Sequence, residues 1–288
     1  MFKVLAQLIK ILELFSVRTA ARFTMFLASW PMRRPLKARD KALLAKGERL
    51  HIKGDKKLAA WSFGRGPLVI LVHGWEGNSA QMATMAMCIA EQGFQAVTFD
   101  VRAHGSSKGK RAHFSNYSVD MRHVAQHFDR PIHAIVAHSA GGLLTMFGRM
   151  KKIVKANYYV TIAAPRAPYP PIEIVKENLG VSEEVADYCR IAIAQQFESP
   201  WDELITGKMY EYRGQGKLLL VYDKDDELVC HTDADQAQKY WPDALCIKTQ
   251  GLGHFKLLWN DSVMNQVAQF ISGEEVDRMP EVNVAQKA

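Results

Sequence analysis

Three side chains of this 288-residue chain have the types and settings that nucleophilic catalysis needs. Ser139 lies in Ala137-His138-Ser139-Ala140-Gly141, between an apolar run at 132–138 that reads as a strand and a helical stretch at 140–151. A serine on such a strand-to-helix turn is held in strained backbone geometry that exposes its Oγ. Its neighbours two positions away must be small, because strand and helix pass close together there. Ala137 and Gly141 meet that requirement. A hydroxyl is a weak nucleophile near neutral pH, so it needs a base within hydrogen-bond reach and a carboxylate to hold that base in the right tautomer. Two downstream loops can supply them: Asp223-Lys224-Asp225-Asp226-Glu227 and Gly251-Leu252-Gly253-His254, each following an apolar run.

The elements that must position these residues alternate along the chain. Short β-rich runs at 49–53 and 57–63 flank Gly54-Asp55 and predict a hairpin of two edge strands. Runs at 68–73, 94–100, 132–138, 158–163, 217–222 and 244–249 are mostly apolar, which implies burial on both faces. Helical stretches at 79–91, 118–128, 140–151, 232–240 and 262–271 separate them, several stopped by glycine or proline. This rhythm predicts an α/β fold, a doubly wound and mostly parallel sheet of about eight strands. Residues 166–213 break it with Pro168, Pro170 and Pro171 and then helical patterning over 172–197. They read as a helical lid over the C-terminal edge of the sheet, dividing a core of residues 49–165 and 214–272. Residues 273–288 lack periodicity and read as a flexible tail.

With those motifs in place the chain resembles the α/β-hydrolase superfamily over about residues 50–272, as a serine esterase or lipase-like member with an Ala-x-Ser-x-Gly nucleophile elbow. The matching segments are His73-Gly74-Trp75, Asp100-Val101-Arg102-Ala103-His104-Gly105-Ser106, the Ser139 elbow, the Asp226 loop and the Gly-x-Gly-His before the last helix. Ala137 stands where the family usually has glycine. The resemblance implies Ser139 as nucleophile, His254 as base and Asp226, by family spacing in preference to Asp225, as the orienting acid. It also implies an oxyanion hole from the backbone N–H groups of Trp75 and Ala140, and neither metal nor organic cofactor. His73, Asp100 and His104 are expected to stabilise loops, and His138 to pack beside the nucleophile. Asp223 and Glu227 read as solvated charge.

The expected activity is hydrolysis of a carboxylic ester, or a thioester, through an acyl-enzyme. An acyltransferase or carbon–carbon bond hydrolase would use the same triad, and a non-catalytic membrane-associated binding module would use the same fold. Tyr169, Phe197 and Trp201 in the lid are expected to bind substrate and to favour an apolar acyl group. His123 and His127 stand four apart on a helix but have no Glu after the first and no evident third ligand, against a zinc site. The methionines at 82, 85 and 87 read as core filling.

Charge is divided unevenly. Residues 1–60 carry 14 Lys/Arg against 4 Asp/Glu, whereas the remainder carries 23 against 26. A nucleic-acid substrate would call for cations around the cleft, so none is expected here. Residues 1–48 read as a basic helical arm. Within it, apolar positions over 2–15 leave a narrow polar stripe of Lys3, Gln7, Lys10 and Glu13, too interrupted for a secretory signal or a membrane span. A second apolar patch at 23–30 is followed by Arg33, Arg34, Lys37 and Arg39. The arm can pack on the catalytic body or on a second subunit, or make peripheral contact with a membrane through residues 1–39; the sequence leaves these open, and oligomeric state with them. Four scattered cysteines without a Cys-x-x-Cys pair suit a reducing compartment, so the expected setting is cytoplasmic, with peripheral attachment at the inner membrane face as the membrane alternative.

Overall fold

The computed structural model describes residues 2–53 and 57–274; the predicted Gly54-Asp55 turn and residues 275–288 of the predicted tail lie outside them. Twelve α-helices and eight strands follow one another among the described residues: α1 (Phe2–Phe15), α2 (Val17–Ala28), α3 (Ala38–Leu44), β1 (Glu48–His51), β2 (Ala59–Phe63), β3 (Leu68–Val72), α4 (Ser79–Glu91), β4 (Gln95–Asp100), α5 (Phe114–Phe128), β5 (Ile132–His138), α6 (Ala140–Met150), β6 (Ala156–Ile162), α7 (Pro170–Leu179), α8 (Glu183–Phe197), α9 (Trp201–Leu204), β7 (Lys217–Asp223), α10 (Asp233–Tyr240), β8 (Leu245–Thr249), α11 (Gly253–Lys256) and α12 (Asp261–Ser272). The strands form one sheet in the order β1-β2-β4-β3-β5-β6-β7-β8. β1 and β2 are antiparallel to each other, and β2 is antiparallel to β4; every pairing from β4 to β8 is parallel.

Alternation along the central strands explains why their sequences are mostly apolar. In β3, Leu68, Ile70 and Val72 enter one core cluster while Val69 and Leu71 enter the other. β5 and β7 divide in the same way, with Ile135 and Ala137 opposed to Ala134 and Val136, and Leu218, Leu220 and Tyr222 opposed to Leu219 and Val221. Both faces are covered, so neither has a polar alternate. One sequence expectation is corrected. β2 is not an edge strand: all five of its residues are buried, and it lies between β1 and β4. Its pairing with β4 skips β3 in sequence, and local patterning carries no record of that jump.

Local chemistry sets the helix ends. Asn78 caps α4 by accepting from Ala80 N at 3.0 Å, Ser182 caps α8 through Val185 N, and Asn260 caps α12 through Val263 N. Gly180 adopts the left-handed conformation (φ 59°), splitting the helical patterning expected over 172–197 into α7 and α8. α5 begins at Phe114, four residues before its predicted start. Its first N–H is held by Gln196 Oε1 on α8 at 3.0 Å, a partner distant in sequence.

The basic arm does not behave as one unit. α1 packs on α7, and α2 packs on α8, so two arm helices and two insert helices form a single helical layer. Ile9, Ala20 and Ala21 are buried there, and Cys189 of α8 approaches the carbonyl of Ala21. α3 instead packs on α4, with Leu44 in the core cluster that contains α4 and α12. Between these two parts, the chain crosses the C-terminal end of β3 and β4. Ala112 N–H donates to Ser29 O (2.8 Å), Met32 N–H donates to Glu76 Oε1 (2.9 Å), and Arg33 Nε donates to Ala103 O (2.7 Å).

Candidate active site

Ser139 follows β5 directly and precedes α6, with φ 52° and ψ −127°. A non-glycine residue with positive φ is strained, and it persists because the neighbours over-determine it. Ser139 N–H donates to Ile162 O on the adjacent strand at 2.8 Å. A Cβ added at Gly141 would stand 2.5 Å from His73 O, and one at Gly142 would stand 2.5 Å from Ala164 Cβ. Those contacts are too close for any side chain, so the small residues after the serine answer to packing as well as to turn geometry.

The structure brings Ser139, His254 and Asp226 into one chain of contacts. Ser139 Oγ lies 3.0 Å from His254 Nε2, and His254 Nδ1 lies 2.8 Å from Asp226 Oδ2. The Asp226 side chain is fully buried, and its Oδ1 accepts from Leu228 N–H and Val229 N–H at 2.8 and 2.9 Å. A carboxylate so held keeps the proton of His254 on Nδ1 and leaves Nε2 as the acceptor facing the serine hydroxyl. Asp225, the competing acid, turns to the neighbouring loop and accepts from Gly251 N–H at 3.0 Å.

Asp223 corrects a second expectation. It is not solvated charge: the residue is fully buried at the end of β7. Its carboxylate accepts from Thr249 Oγ1 (2.7 Å) and from the N–H groups of Gly253 (2.9 Å), Leu252 (3.0 Å) and Asp225 (3.0 Å). Burial raises its pKa, but those donors outweigh burial and hold it below the usual carboxylate value. Asp223 therefore clamps the loop that carries His254 to the loop that carries Asp226. Its place at the end of an apolar strand was the available signal, but an acid among acids reads as surface.

A ring of histidines surrounds the same point. His73 Nδ1–H donates to Gly74 O (2.7 Å), while its Nε2 accepts from Val101 N–H (3.0 Å). Asp100 accepts from Ser79 N–H and Ser106 N–H, both at 2.6 Å, and so ties two loops together. His138 Nε2–H donates to the backbone carbonyl of His254 at 3.0 Å, steadying the residue that the serine faces. Burial pushes His73 down to about 4, and burial aided by neighbouring imidazoles pushes His104 and His138 down to about 3. All three are thus neutral near pH 7 and add no charge beside the reacting atoms.

Trp75 and Ala140 flank the serine from two loops. Ala140 opens α6, and a first-turn N–H has no acceptor within its own helix. The loop before Trp75 runs against the serine: a Cβ at Gly74 would come within 2.9 Å of Ser139 Cβ. The indole packs on His104, Phe114 and Tyr117. Phe255, half exposed beside His254 with ring centroids 4.9 Å apart, was not singled out in the sequence.

The three residues expected to bind substrate from a lid each have other surroundings. Tyr169 Oη–H donates to Asp233 Oδ2 (2.7 Å), beside the Arg166–Asp233 ion pair that fastens the start of the insert to α10. Phe197 is fully buried between Phe114 and Phe147 and has no open face for a ligand. An aromatic residue at a helix end can point to core or cleft, and here the core wins. Trp201 is half buried at the start of α9, lining a surface groove with Ile191, Ala194 and Pro200. Among the described residues, no group of three or more His, Cys, Asp and Glu is arranged to hold a metal ion.

Residues 69–270 match the model of a family described as Alpha/beta hydrolase family. A curated relative, the non-heme chloroperoxidase CPO-A1 of Kitasatospora aureofaciens, is 23% identical over 151 residues, which are 50% of this chain and 53% of that protein. The chain thus spans about half the length of that relative. Among solved structures, Pyrococcus furiosus esterase Pf2001 superposes with a TM-score of 0.61 at 17% identity, covering 85% of this chain and 98% of that one. Est1E from Butyrivibrio proteoclasticus, solved with ferulic acid bound, gives 0.59 at 18% identity, covering 78% and 96%. A thioesterase domain from the curacin biosynthetic pathway gives 0.57 at 18% identity, covering 78% and 99%.

Proposed function

Because the chain belongs to the alpha/beta hydrolase family, we propose that it is a serine hydrolase that cleaves carboxylic esters, thioesters included, through an acyl-enzyme. The observation that carries this reading is the continuous path from Ser139 Oγ to His254 at 3.0 Å and on to Asp226 at 2.8 Å. Ser139 Oγ attacks the ester carbonyl while His254 Nε2 takes the hydroxyl proton, and Asp226 stabilises the imidazolium. The carbonyl oxygen becomes an oxyanion, received by the N–H groups of Ala140 and Trp75. The carbon–oxygen bond to the alcohol breaks as His254 returns the proton to the leaving oxygen. Water, deprotonated by His254, then attacks the acyl carbon; the bond from that carbon to Ser139 Oγ breaks as His254 returns the proton to Oγ, and the carboxylic acid leaves.

Trp75 and the half-exposed Phe255 give the mouth apolar rings, which favours an apolar acyl group. Four free cysteines and a mildly acidic catalytic body suit a small-molecule substrate in a reducing, cytoplasmic compartment. Turnover of short p-nitrophenyl esters, together with covalent labelling by a fluorophosphonate, tests the reading. Both should vanish in Ser139→Ala; turnover that survives the substitution would overturn it, and absence of labelling in the parent protein would favour a non-catalytic module of the same fold.

A further inference from the structure

We propose that the outer face of α1 and α2 is a docking surface for an anionic lipid bilayer. α1 is apolar over a broad arc with two adjacent sides. One side, with Leu5, Ile9 and Leu12, packs into the core cluster shared with the insert helices. The other carries Val4, Leu8, Ile11 and Phe15 at spacings of four, three and four, a helical stripe whose members are all exposed. At the corner leading to α2, Leu14 and Phe15 are each 85% exposed. Phe26 and Trp30 continue the apolar surface on and after α2, in edge-to-face contact at 6.3 Å and both exposed. Single exposed apolar residues are ordinary, but a run of this extent on one arm marks a partner.

Charge names the partner. Lys3, Lys10, Arg18, Arg22, Arg33, Arg34, Lys37 and Arg39 are exposed, against only Glu13 and Asp40 among the acids of residues 1–40. A second copy docking face to face would set these cations against their own images. An anionic bilayer meets both demands, accepting apolar side chains below the headgroups and cations among them, with aromatic rings at the boundary. No helix among the described residues is long and apolar enough to cross a membrane, and α1 and α2 are 14 and 12 residues long, so the arm lies in the plane of the surface. Met32 N–H bonds to Glu76, the residue after Trp75, so the docked face is tied directly to the loop at the catalytic mouth.

The test mixes the full-length protein with vesicles of pure phosphatidylcholine or of phosphatidylcholine containing about one third phosphatidylglycerol, and measures co-sedimentation. The parent should follow the anionic vesicles and be released by salt. Leu14→Ser with Phe15→Ser should weaken partitioning by roughly tenfold or more, and Arg18→Glu with Arg22→Glu should abolish the preference for phosphatidylglycerol. Melting temperature and hydrolysis of a soluble short ester, measured in parallel, should match the parent in both variants, which separates loss of docking from loss of fold and from any failure of the hydrolase reading. Equal recovery with both vesicle types, or undiminished binding of the Leu14/Phe15 variant, would overturn the proposal. So would a concentration-dependent dimer that the same variant dissolves without any binding to vesicles, since the face would then belong to a second copy.

Discussion

Two neighbouring regions of this molecule treat polar and apolar side chains in opposite ways. At the rim of the candidate site, the polar side chains are buried and tied: Asp223 accepts four hydrogen bonds, Asp226 three, and His254 is held at both ring nitrogens and at its carbonyl. In the arm, apolar side chains stand in water on one side of α1 while their neighbours on the other side are buried. A buried polar group is tolerated because its partners are supplied within the fold. An exposed apolar stripe has no such partner among the described residues. The contrast teaches that the rim is complete as folded, whereas the arm has one finished face and one open one.

Several substitutions break or sharpen that contrast. The largest effect belongs to the rim: Ser139→Ala should lower kcat/KM for p-nitrophenyl esters by about 10⁴ or more while leaving the melting temperature nearly unchanged. Asp226→Asn should lower kcat by about 10³ to 10⁴, because an amide no longer enforces the tautomer of His254; stopped-flow acylation would show the loss in the chemical step. On the finished face of the arm, Ile9→Ala should cost about 2 to 5 kcal/mol in urea unfolding, through lost burial and a cavity between α1 and the insert.

Acid should erode stability before it reaches the carboxylates. In the unfolded chain His73, His104 and His138 gain protons as pH falls through about 6.5, whereas in the fold they stay neutral down to about 4, 3 and 3. The unfolded state thus binds more protons across that window, and unfolding free energy measured between pH 7 and 4 should fall by up to about 1.4 kcal/mol per pH unit for each histidine. Depressed Asp223 adds its own loss only lower, as pH drops below about 4. The smallest effect belongs to the open face. Ile11→Ser should change stability by less than about 0.5 kcal/mol, against the several expected for Ile9 two residues earlier.

Much of the rim was legible in the sequence because its requirements are local. Ser139 is announced by an apolar strand, two small neighbours and a helix, all within a few residues. The strands of the parallel sheet show because burial on both faces removes every polar alternate. What stayed hidden depends on distant partners. Asp223 looks solvated until Leu252 and Gly253 arrive from the next loop. β2 looks like an edge until β4 pairs past β3. Phe197 looks available to substrate until Phe114 and Phe147 close on it. The broad apolar arc of α1 was visible, but only its packing against α7 and α2 reveals which part of it is taken.

The shared helical layer also orders events in time. α2 leaves the ribosome well before α8, and the intervening residues 29–182 take roughly 8 to 30 s to synthesise at about 5 to 20 residues per second. Until α7 and then α8 follow, Ile9 of α1 and Ala20 and Ala21 of α2 lack their partners in the insert, so the apolar arcs of both helices stand in solvent. A nascent chain in that state is a natural client for chaperones, and slow translation through 29–182 would lengthen its exposure.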